Sequence, residues 1–279
     1  MNKLKYSVLM SVYAKESAQN LRQAMESMLR QTMPPDDFVL VCDGPLTPEL
    51  DSVIEAKHIE MGQVLQVIRL PQNGGLGHAL NEGLKHCKNE LVARMDSDDI
   101  SAEDRCEKQL RLFAQNPDVD ISSGTLLEFS ESPAEPIGKR EVPLTNNEIR
   151  EFSKKRCPFN HPCVMFKKTA VEKAGGYKET YHLFEDYYLW IRMLRINCQA
   201  QNLPDVLLYM RTPNDMYKRR GGKEYAKSML RFHWWVHKSG WTNFLEFCTG
   251  ALPHAIVCVM PNALRRLTYI MLHQIKENT

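Results

Sequence analysis

The feature of this sequence that most constrains its fold is an alternation of short apolar runs and amphipathic stretches along residues 6–99. The apolar runs are rich in Val, Leu and Met, and they predict four buried strands, at residues 6–13, 38–42, 64–70 and 91–96. Between them, apolar residues recur at helical spacing, which predicts helices at residues 19–31, 48–57 and 78–86. Such alternation predicts an α/β fold with a Rossmann-like, doubly wound, mostly parallel sheet.

Polar side chains stand where each predicted strand ends, at Tyr13, Asp43, Asn73 and Asp96. The carboxyl ends of parallel strands meet at one edge of a sheet, and open α/β sheets bind their ligands at that edge. We therefore expect these four side chains to line one crevice, and a nucleotide is the ligand that such a crevice favours.

The fourth strand ends in three carboxylates, Asp96, Asp98 and Asp99. Mg²⁺ and Mn²⁺ take oxygen ligands, usually one or two carboxylates together with phosphate oxygens, so the segment predicts a site for a metal-chelated diphosphate. The same residues also suit a turn and a helix N-cap, and this segment alone leaves that alternative open. An EF-hand is disfavoured, because the loop lacks its characteristic Gly and terminal Glu.

The segment Gly75-Leu-Gly77 has two of the three glycines of a dinucleotide-binding motif. Leu80 stands at the third position, and the motif follows the third strand rather than the first, so the match is poor. A glycine-rich loop whose backbone N–H groups approach a nucleotide remains consistent with the pattern.

The order of elements changes after residue 99. We expect an amphipathic helix at 102–114, strands at 121–129 and 159–166, a mobile Pro- and Ser-rich loop at 130–143, and a helix at 184–194. In that last helix Tyr188, Ile191 and Leu194 are expected to pack on one face. Glu185 and Asp186 stand at its N-terminus, where they either complement the helix dipole or supply a general base.

The charge and the cysteines limit the classes of protein to which this chain can belong. The 279 residues carry a net charge of +2, but residues 1–140 have an excess of seven acidic residues and residues 141–279 an excess of nine basic ones. The eight cysteines form no Cys-x-x-Cys pair, which argues against a zinc ribbon or a thioredoxin motif and predicts reduced, mostly buried thiols in the cytoplasm. Residues 6–13 suit a strand rather than a signal peptide, and no apolar stretch approaches the ~20 residues of a membrane span.

Taken in order, several motifs resemble those of glycosyltransferase family 2, whose members have the GT-A fold. They are Ser-Val-Leu-Met-Ser-Val-Tyr at 7–13, Val-Cys-Asp-Gly at 41–44, Asn-Gly-Gly at 73–75, Asn-Glu-Gly at 81–83, Met-Asp-Ser-Asp-Asp at 95–99, Arg105, Glu-Lys-Gln at 107–109, His-Pro at 161–162, Gly-Gly-Tyr at 175–177 and Glu-Asp-Tyr-Tyr-Leu-Trp at 185–190. The resemblance covers roughly residues 5–215. Within the family, the longest blocks look most like bacterial exopolysaccharide and O-antigen transferases of the amylovoran type.

The resemblance implies roles for individual residues. Tyr13 and Asp43 would hold the nucleotide base, Asp96 would face the ribose or the water shell of the metal, and Asp98 would bind Mn²⁺ or Mg²⁺ directly. Asp186 would be the catalytic base, with Glu185 as its alternative. The other residues implied to contact the donor or the acceptor are Ser11, Glu16, Asn73, Gly75, Asn81 and Ser97 in the nucleotide pocket, Arg211 near the diphosphate, and His161 on the acceptor side.

The resemblance also implies an activity. It predicts an inverting, metal-dependent hexosyltransferase that moves glucose or galactose from a UDP-sugar to a lipid-linked, undecaprenyl-diphosphate saccharide in O-antigen or exopolysaccharide biosynthesis. The expected domains are a GT-A catalytic domain at 1–215, with nucleotide-binding and acceptor halves at 1–100 and 101–215, and a helical extension at 216–279. The sequence departs from the common family pattern at Ser11, Ala14, Cys42, Leu80 and the Arg211-Thr-Pro segment.

Two other functions are considered. A sugar-1-phosphate nucleotidyltransferase of the same fold would need a Gly-rich loop with Arg and Lys directly after the first strand, and Tyr13-Ala-Lys-Glu-Ser does not supply one. A catalytically silent member that serves as a partner in polysaccharide assembly is the second alternative. The presence of Asp96, Asp98 and Asp186 argues against it.

The C-terminal extension is basic and rich in tryptophan. Residues 211–240 hold eight Lys and Arg against two acidic residues, and Trp234, Trp235 and Trp241 lie in or next to this segment. These aromatic side chains either pack on the catalytic domain or bind an anionic membrane surface, which basic amphipathic helices with interfacial Trp favour. A second amphipathic helix is expected after Asn262. No nucleic-acid-binding motif accompanies the charge, so nucleic acid is not an expected partner.

Overall fold

The computed structural model describes residues 4–181, 183–212 and 222–259. Its strands are β1 (Tyr6–Val12), β2 (Asp37–Cys42), β3 (Leu65–Arg69), β4 (Leu91–Asp96), β5 (Ile100–Ser101), β6 (Val119–Ser122), β7 (Gly124–Phe129), β8 (Gly138–Arg140), β9 (Met165–Lys167), β10 (Gln199–Ala200) and β11 (Leu203–Arg211). Its helices are α1 (Ala18–Leu29), α2 (Pro48–Met61), α3 (Leu76–His86), α4 (Arg105–Gln115), α5 (Asn146–Phe152), α6 (Lys168–Lys173), α7 (Glu185–Arg195), α8 (Lys223–Lys238) and α9 (Phe244–Val259). Short 3₁₀ turns occupy Gly62–Val64 and His161–Cys163.

The main sheet has seven strands in the order β10-β6-β9-β4-β1-β2-β3. β1 lies parallel between β2 and β4, and β3 runs parallel to β2, while β9 is antiparallel to both of its neighbours. The predicted doubly wound, mostly parallel sheet is therefore confirmed. The register places Ser11 of β1 beside Asp96 of β4, so the ends of these strands meet at one edge, as the sequence predicted.

The two faces of the sheet are buried under helices. On one face, α3 lies close to β1 and β2 because it has a glycine at the contact. A Cβ added to Gly83 would lie 2.4 Å from the Leu9 side chain and 2.6 Å from that of Val41, distances that no real side chain tolerates. Leu9 and Val41 are both fully buried. This close approach fixes the position of α3 and of the glycine-rich loop that precedes it.

A second, four-stranded sheet has the order β5-β11-β7-β8. β5 follows directly after the acidic segment at the end of β4, and it pairs antiparallel with β11 through Ser101 and Leu208. β11 also pairs with β7, which sets Arg211 opposite Phe129. The small sheet therefore carries Arg211, the last residue of β11, back to the acidic edge of the main sheet.

The prediction of a single strand at 121–129 is wrong, because the chain passes from the main sheet to the second sheet within this segment. Ser123 separates β6 from β7, and its N–H donates to the Asn202 side chain at 2.8 Å instead of to a neighbouring strand. At Gly124 an added Cβ would lie 2.5 Å from the Leu207 side chain, so only glycine permits β7 to lie this close to β11 there. The apolar run was visible in the sequence, but these two contacts are made with residues 79 or more positions away.

Two further expectations are corrected. The segment 159–166 is not one strand, because His161–Cys163 forms a 3₁₀ turn and only Met165–Lys167 pairs in the sheet. Pro162 has no N–H to donate to a ladder, which favours the turn. The loop 130–143 contains β8, which pairs antiparallel with β7, and Arg140 of β8 forms an ion pair with Glu128 at 2.5 Å.

Helix α7 is buried on more sides than its predicted stripe implied. Ile191 and Leu194 are fully buried and Tyr188 is half-buried, but Leu189 and Trp190 are fully buried as well. The additional burial arises because α7 lies between two neighbours: Leu189 and Trp190 pack in the core against the main sheet, whereas Ile191 packs against α8. The sequence of α7 alone could not reveal this second neighbour.

Helices α8 and α9 pack against each other and against the rest of the fold. Phe232 of α8 is fully buried, and its ring stacks on Phe184 at 5.3 Å. The indole N–H of Trp241 donates to Ser153 at 3.0 Å, so part of the aromatic set does pack on the domain, as one of the two alternatives predicted. The amphipathic helix expected after Asn262 lies outside the described residues. Among the described residues, no helix is both long enough and apolar enough to cross a membrane.

Seven cysteines are free thiols: Cys42, Cys87, Cys106, Cys157, Cys163, Cys198 and Cys248. Cys42, Cys87, Cys106, Cys163 and Cys198 are buried, which agrees with the expectation from their scattered spacing.

Candidate active site

Three carboxylates converge at the carboxyl end of β4. One oxygen from each of Asp96, Asp98 and Asp99 lies within 4.8 Å of the others. Asp99 is 2% exposed, so the cluster is partly shielded from water. Burial, followed by the nearby charges of Asp96 and Glu16, raises the pKa of Asp98 to about 7. Burial, and then the charges of Asp96 and Asp98, raise the pKa of Asp99 well above its ordinary value. Crowded oxygen ligands that resist ionisation together are suited to a divalent cation, which would neutralise them.

A buried arginine lies beneath this cluster. Arg94 precedes Asp96 by two residues on β4, so both side chains lie on the same face of the sheet. The guanidinium donates from Nη2 to Oδ1 of Asp96, although Arg94 is only 1% exposed. Its Nε and Nη1 atoms have no hydrogen-bond partner among the described residues. The pair leaves the second oxygen of Asp96 available to the cluster.

Arg211 reaches the cluster from the second sheet. Its backbone N–H donates to Asp99 at 2.8 Å, and its Nε donates to the carbonyl of Asp98 at 3.1 Å. Nη2 donates to Gln23 of α1 at 2.8 Å, and the guanidinium lies 4.7 Å from the ring of Phe129. The side chain predicted to stand near the diphosphate is therefore fixed beside the acidic residues.

Asp43 organises the glycine-rich loop before α3. One of its carboxylate oxygens accepts the N–H of Gly74 at 2.8 Å and the other accepts that of Gly75 at 3.0 Å. The side-chain amide of Asn73 donates to the Asp43 carbonyl at 3.2 Å. Asp43 is 5% exposed. Asp43, predicted to hold the base, is thus in contact with Asn73 and Gly75, which were predicted to line the nucleotide pocket, and Asp43 fixes the shape of the loop.

The start of the chain contributes the remaining donor-side residues. Tyr13 follows β1 directly and is 41% exposed. Glu16 accepts from the hydroxyl of Ser97 at 3.4 Å, which connects the loop after β1 to the acidic segment. Ser11 lies beside Asp96 in the sheet. All of these predicted residues therefore lie at the acidic edge.

Asn81 has a structural contact that the sequence did not suggest. Its amide donates to the carbonyl of Tyr177 at 2.8 Å and accepts the Tyr177 N–H at 2.8 Å, as a neighbouring strand would. An added Cβ at Gly176 would lie 2.6 Å from the Asn81 oxygen. The residue predicted to bind the nucleotide thus joins α3 to the turn at Gly176 and Tyr177.

The residues predicted to be the base or to lie on the acceptor side form a second group. Oδ2 of Asp186 lies 4.0 Å from Nδ1 of His161, and Nε2 of His161 lies 3.1 Å from the hydroxyl of Tyr177. Glu185, the alternative base, accepts the N–H of Leu183 at 3.0 Å and so faces the start of its own helix. Burial, and then the positive charge of Arg94, lower the pKa of His161 well below its usual value. Arg94 thus acts electrostatically on both groups of residues.

Three residues near the site were not predicted. Arg94 and Gln23 contact Asp96 and Arg211, and Glu179 lies 3.4 Å from the position that a Cβ on Gly75 would take. Arg94 had a signal in the sequence, because it is the one charge inside an otherwise apolar run at 91–95. Gln23 and Glu179 stand among other polar residues, and nothing in the sequence separates them from surface positions.

Comparison with known proteins first defines the class. The structure superimposes on the mannosyltransferase PcManGT from Pyrobaculum calidifontis, solved in complex with GDP-Man and Mn²⁺, with a TM-score of 0.66 and 18% identity over 96% of this chain and 80% of that one. At this identity the likeness concerns the fold, which is that of the GT-A glycosyltransferases. The glycosyl transferase family 2 model matches residues 7–175.

Relatives extend the match over most of the chain. An uncharacterized glycosyltransferase from Haemophilus influenzae is 46% identical over 82% of this chain and 84% of its own length. The UDP-Gal:alpha-D-GlcNAc-diphosphoundecaprenol beta-1,3-galactosyltransferase of Escherichia coli is 37% identical over 95% of both chains. The amylovoran biosynthesis glycosyltransferase AmsE of Erwinia amylovora is 38% identical over 95% of this chain and 97% of its own. This chain belongs to glycosyltransferase family 2, so the resemblance stated from its motifs is confirmed.

Proposed function

We propose that this protein is a metal-dependent, inverting hexosyltransferase that moves glucose or galactose from a UDP-sugar to a lipid-linked, undecaprenyl-diphosphate saccharide in O-antigen or exopolysaccharide biosynthesis. The observation that carries the proposal is the carboxylate cluster of Asp96, Asp98 and Asp99, with Arg211 fixed upon it. The acceptor class is supported by the Escherichia coli relative, whose name specifies UDP-Gal and a diphosphoundecaprenol acceptor.

On the donor side, the chain supplies a pocket for a nucleoside diphosphate. Asp43 holds the loop before α3 by accepting the N–H groups of Gly74 and Gly75, and the N-terminus of α3 that follows favours negative charge. Asp98 and Asp96 are the residues that would hold Mn²⁺ or Mg²⁺, and their crowded oxygens fit such a hard cation. When bound, the cation supplies charge neutralisation for the departing diphosphate. Arg211 adds a fixed positive charge beside the same place.

On the acceptor side, Asp186 is the proposed general base. As the acceptor oxygen attacks the anomeric carbon, the bond from that carbon to the UDP oxygen breaks, and the hydroxyl proton passes to the Asp186 carboxylate. A single in-line displacement inverts the anomeric centre and requires no glycosyl-enzyme intermediate. Both acids accept a backbone N–H, Asp186 from Tyr187 at 2.7 Å and Glu185 from Leu183 at 3.0 Å. Asp186 is preferred because its other oxygen, Oδ2, lies 4.0 Å from His161, and Glu185 is the alternative.

Two measurements test the proposal. Calorimetric titration of UDP with Mn²⁺ present should show binding that EDTA abolishes and that Asp98→Ala weakens strongly. Purified protein supplied with UDP-glucose or UDP-galactose and a synthetic GlcNAc-diphospholipid should yield a product whose new linkage is inverted by NMR, and Asp186→Asn should abolish turnover while leaving UDP binding intact. UDP binding without transfer to any lipid-linked saccharide would favour the catalytically silent partner. Failure to bind UDP with metal present would contradict the donor assignment.

We also propose that the region after residue 215 attaches the protein to the cytoplasmic face of the inner membrane. In the described residues, apolar side chains at the end of α8 and along α9 are exposed, and they form what we call the aromatic patch: Trp234 at 44%, Phe244 at 61%, Leu245 at 71% and Leu252 at 44%. Nζ of Lys238 lies 5.0 Å from the Trp234 ring. Aromatic and aliphatic side chains next to a cation suit an anionic lipid surface.

Sedimentation with liposomes tests this attachment. Phe244→Ser combined with Leu245→Ser should reduce binding to vesicles containing phosphatidylglycerol by tenfold or more, since each buried apolar side chain contributes about 1.5–3 kcal/mol. Ile59→Ser provides the matched control, because Ile59 is an equally exposed apolar residue, at 77%, on α2. Equal vesicle binding by the double variant and the wild type would contradict the proposal.

A further inference from the structure

The imidazole of His161 lies between a phenol and the proposed base. Its Nε2 lies 3.1 Å from the Tyr177 hydroxyl, and its Nδ1 lies 4.0 Å from Oδ2 of Asp186. The first distance is that of a hydrogen bond, and the second is about 1 Å longer than a hydrogen bond between nitrogen and oxygen. Catalytic hydrogen bonds are often long before the substrate is bound and shorten in the complex. The two ring nitrogens therefore have different partners.

The position of the ring is well restrained. The edge of Trp190 packs against it with centroids 5.8 Å apart, and the ring of Tyr177 lies at 5.7 Å. Tyr177 is itself held through its backbone by the Asn81 amide, and Nη2 of Arg192 donates to the carbonyl of Gly176 at 2.5 Å. The hydroxyl of Tyr177 thus meets Nε2 from a fixed direction.

The chemistry of the two partners decides which nitrogen carries the proton. Burial raises the pKa of Tyr177, so its hydroxyl keeps its proton over the working pH range and can donate it. Burial and the charge of Arg94 lower the pKa of His161, so the imidazole is neutral and has a single N–H. A carboxylate can only accept. Both neighbours are satisfied when Nε2 accepts from Tyr177 and Nδ1 carries the hydrogen that faces Asp186.

We propose that His161 is a positioning residue for the base: Tyr177 fixes its Nδ1–H tautomer, and that N–H orients the Asp186 carboxylate toward the acceptor hydroxyl. The inference rests on the proposed role of Asp186. During transfer the proton moves from the acceptor oxygen to Asp186, and His161 keeps its own proton throughout. The imidazole therefore acts on the geometry of the base and exchanges no proton with the substrate.

Two amide substitutions separate this role from simple packing. The amide nitrogen of Asn can take the place of Nδ1, whereas that of Gln takes the place of Nε2, so each variant retains one side of the ring. His161→Asn should retain kcat within about tenfold of wild type, while His161→Gln and His161→Leu should lose about 10²-fold, within the range typical of a general base. The Kd for UDP with Mn²⁺ should stay within about twofold in all three variants.

The variant Tyr177→Phe provides a second test of the proposal. It should lower kcat in the wild-type background, because Nε2 loses its donor and the other tautomer becomes populated. It should have little further effect in His161→Asn, where no tautomer remains to be fixed. Equal losses in His161→Asn and His161→Gln, or a His161→Leu variant as active as wild type, would overturn the proposal.

A measurement independent of turnover keeps this test separate from that of the proposed function. Nitrogen-15 NMR of protein labelled at histidine distinguishes a protonated from an unprotonated ring nitrogen. We expect His161, assigned by comparison with His161→Asn, to be protonated at Nδ1, and to lose that single state in Tyr177→Phe. A wild-type His161 protonated at Nε2 would overturn the inference even if the enzyme transfers hexose, and absence of transfer with Nδ1 protonated would count against the proposed function alone.

Discussion

Arg94 and Asp96 lie two residues apart on one strand, and the buried guanidinium of Arg94 donates to the carboxylate that begins the acidic cluster. Arg94 is 1% exposed and its Nε and Nη1 atoms have no partner among the described residues, so Asp96 supplies the one hydrogen-bonded counter-charge that we observe. Breaking a buried pair by removing one partner is costly, because the other charge then remains buried. The acid expected to bind the donor is therefore also needed by the strand that presents it.

This relationship predicts different effects for neighbouring acids. Asp96→Ala should lower the free energy of unfolding by about 3 kcal/mol, the lower end of the range for buried pairs, since Asp96 is itself 34% exposed in its side chain. Asp98→Asn should not lower stability at pH 8, because it removes a carboxylate that its neighbours already disfavour. Urea denaturation of the metal-free variants measures both. The double variant Arg94→Met, Asp96→Asn should recover part of the loss. If Asp96→Ala were as stable as wild type, the pair would contribute nothing to folding.

The acidic cluster also predicts how stability depends on pH. Asp98 has a pKa of about 7 in the folded state, raised by burial and then by Asp96 and Glu16, against an ordinary value of 3.8 in the unfolded chain. Between these two values the folded state binds a proton that the unfolded state has released, so the stability of the metal-free protein should fall as the pH rises from about 4 to 7. Asp99, whose pKa is also raised, adds to this slope.

Thermal unfolding in EDTA across pH 5–8 measures this dependence. Asp98→Asn should flatten the curve, whereas Asp118→Asn, at an exposed position directly before β6, should leave it unchanged. Added Mn²⁺ should raise the Tm most at pH 8, because the cation competes with protons for the same oxygens. A wild-type Tm that rises steadily from pH 5 to 8 in EDTA would contradict the assignment.

The sequence predicted the parts of the fold that local patterns determine. The four strands of the first 100 residues begin and end within one or two residues of the expected positions, because each is a short apolar run closed by polar residues. Asp43, Asn73 and Asp96 reach one edge because parallel strands must end together. These properties depend on residues that are neighbours in the sequence, so the sequence alone is sufficient to predict them.

Contacts between distant residues could not be predicted in the same way. The break at Ser123 depends on Asn202, and the contact of Asn81 with Tyr177 joins residues 96 positions apart. The sequence marked His161 as an acceptor-side residue through its motif, but its distance to Asp186 depends on how α7 packs against the sheet. The family resemblance supplied the site residues, and the structure supplies the contacts that orient them.

Substitution of Arg105 should cause a large loss of stability, although no carboxylate within the described part of the chain pairs with it. It is fully buried, and its guanidinium donates to the carbonyls of Arg94 at 2.7 Å, Pro162 at 3.2 Å and Val164 at 3.2 Å. It thereby joins the strand that ends in the acidic cluster to the turn that carries His161. Arg105→Met would remove one donor from each of these carbonyls. The Val164 carbonyl keeps the N–H of Arg94 at 3.0 Å, and each buried group left unsatisfied costs about 1–3 kcal/mol.

We therefore expect Arg105→Met to lower the free energy of unfolding by 3 kcal/mol or more, as measured by urea denaturation. Arg111→Met is the matched control on the same helix, because the Arg111 side chain is 64% exposed and pairs only with Glu107 four residues earlier. Exposed pairs of this kind contribute about 0.5 kcal/mol or less. Similar losses in the two variants would show that Arg105 does not join the two halves of the site.

Two residues of α8 that stand two positions apart should respond differently to substitution. Phe232 is fully buried against Phe184 and Tyr187, whereas Trp234 is 44% exposed and contacts Lys238. Phe232→Ala should cost about 3–5 kcal/mol of stability, the usual range for a large aromatic residue in a core. Trp234→Ala should cost less, about 1 kcal/mol, because its half-exposed ring packs against Phe247 at 5.4 Å, yet it should weaken binding to anionic vesicles. Urea denaturation and vesicle sedimentation of the same two variants therefore separate the packing function of α8 from its proposed membrane function. Should Trp234→Ala unfold as readily as Phe232→Ala, the aromatic patch would belong to the core and the membrane proposal would lose its main support.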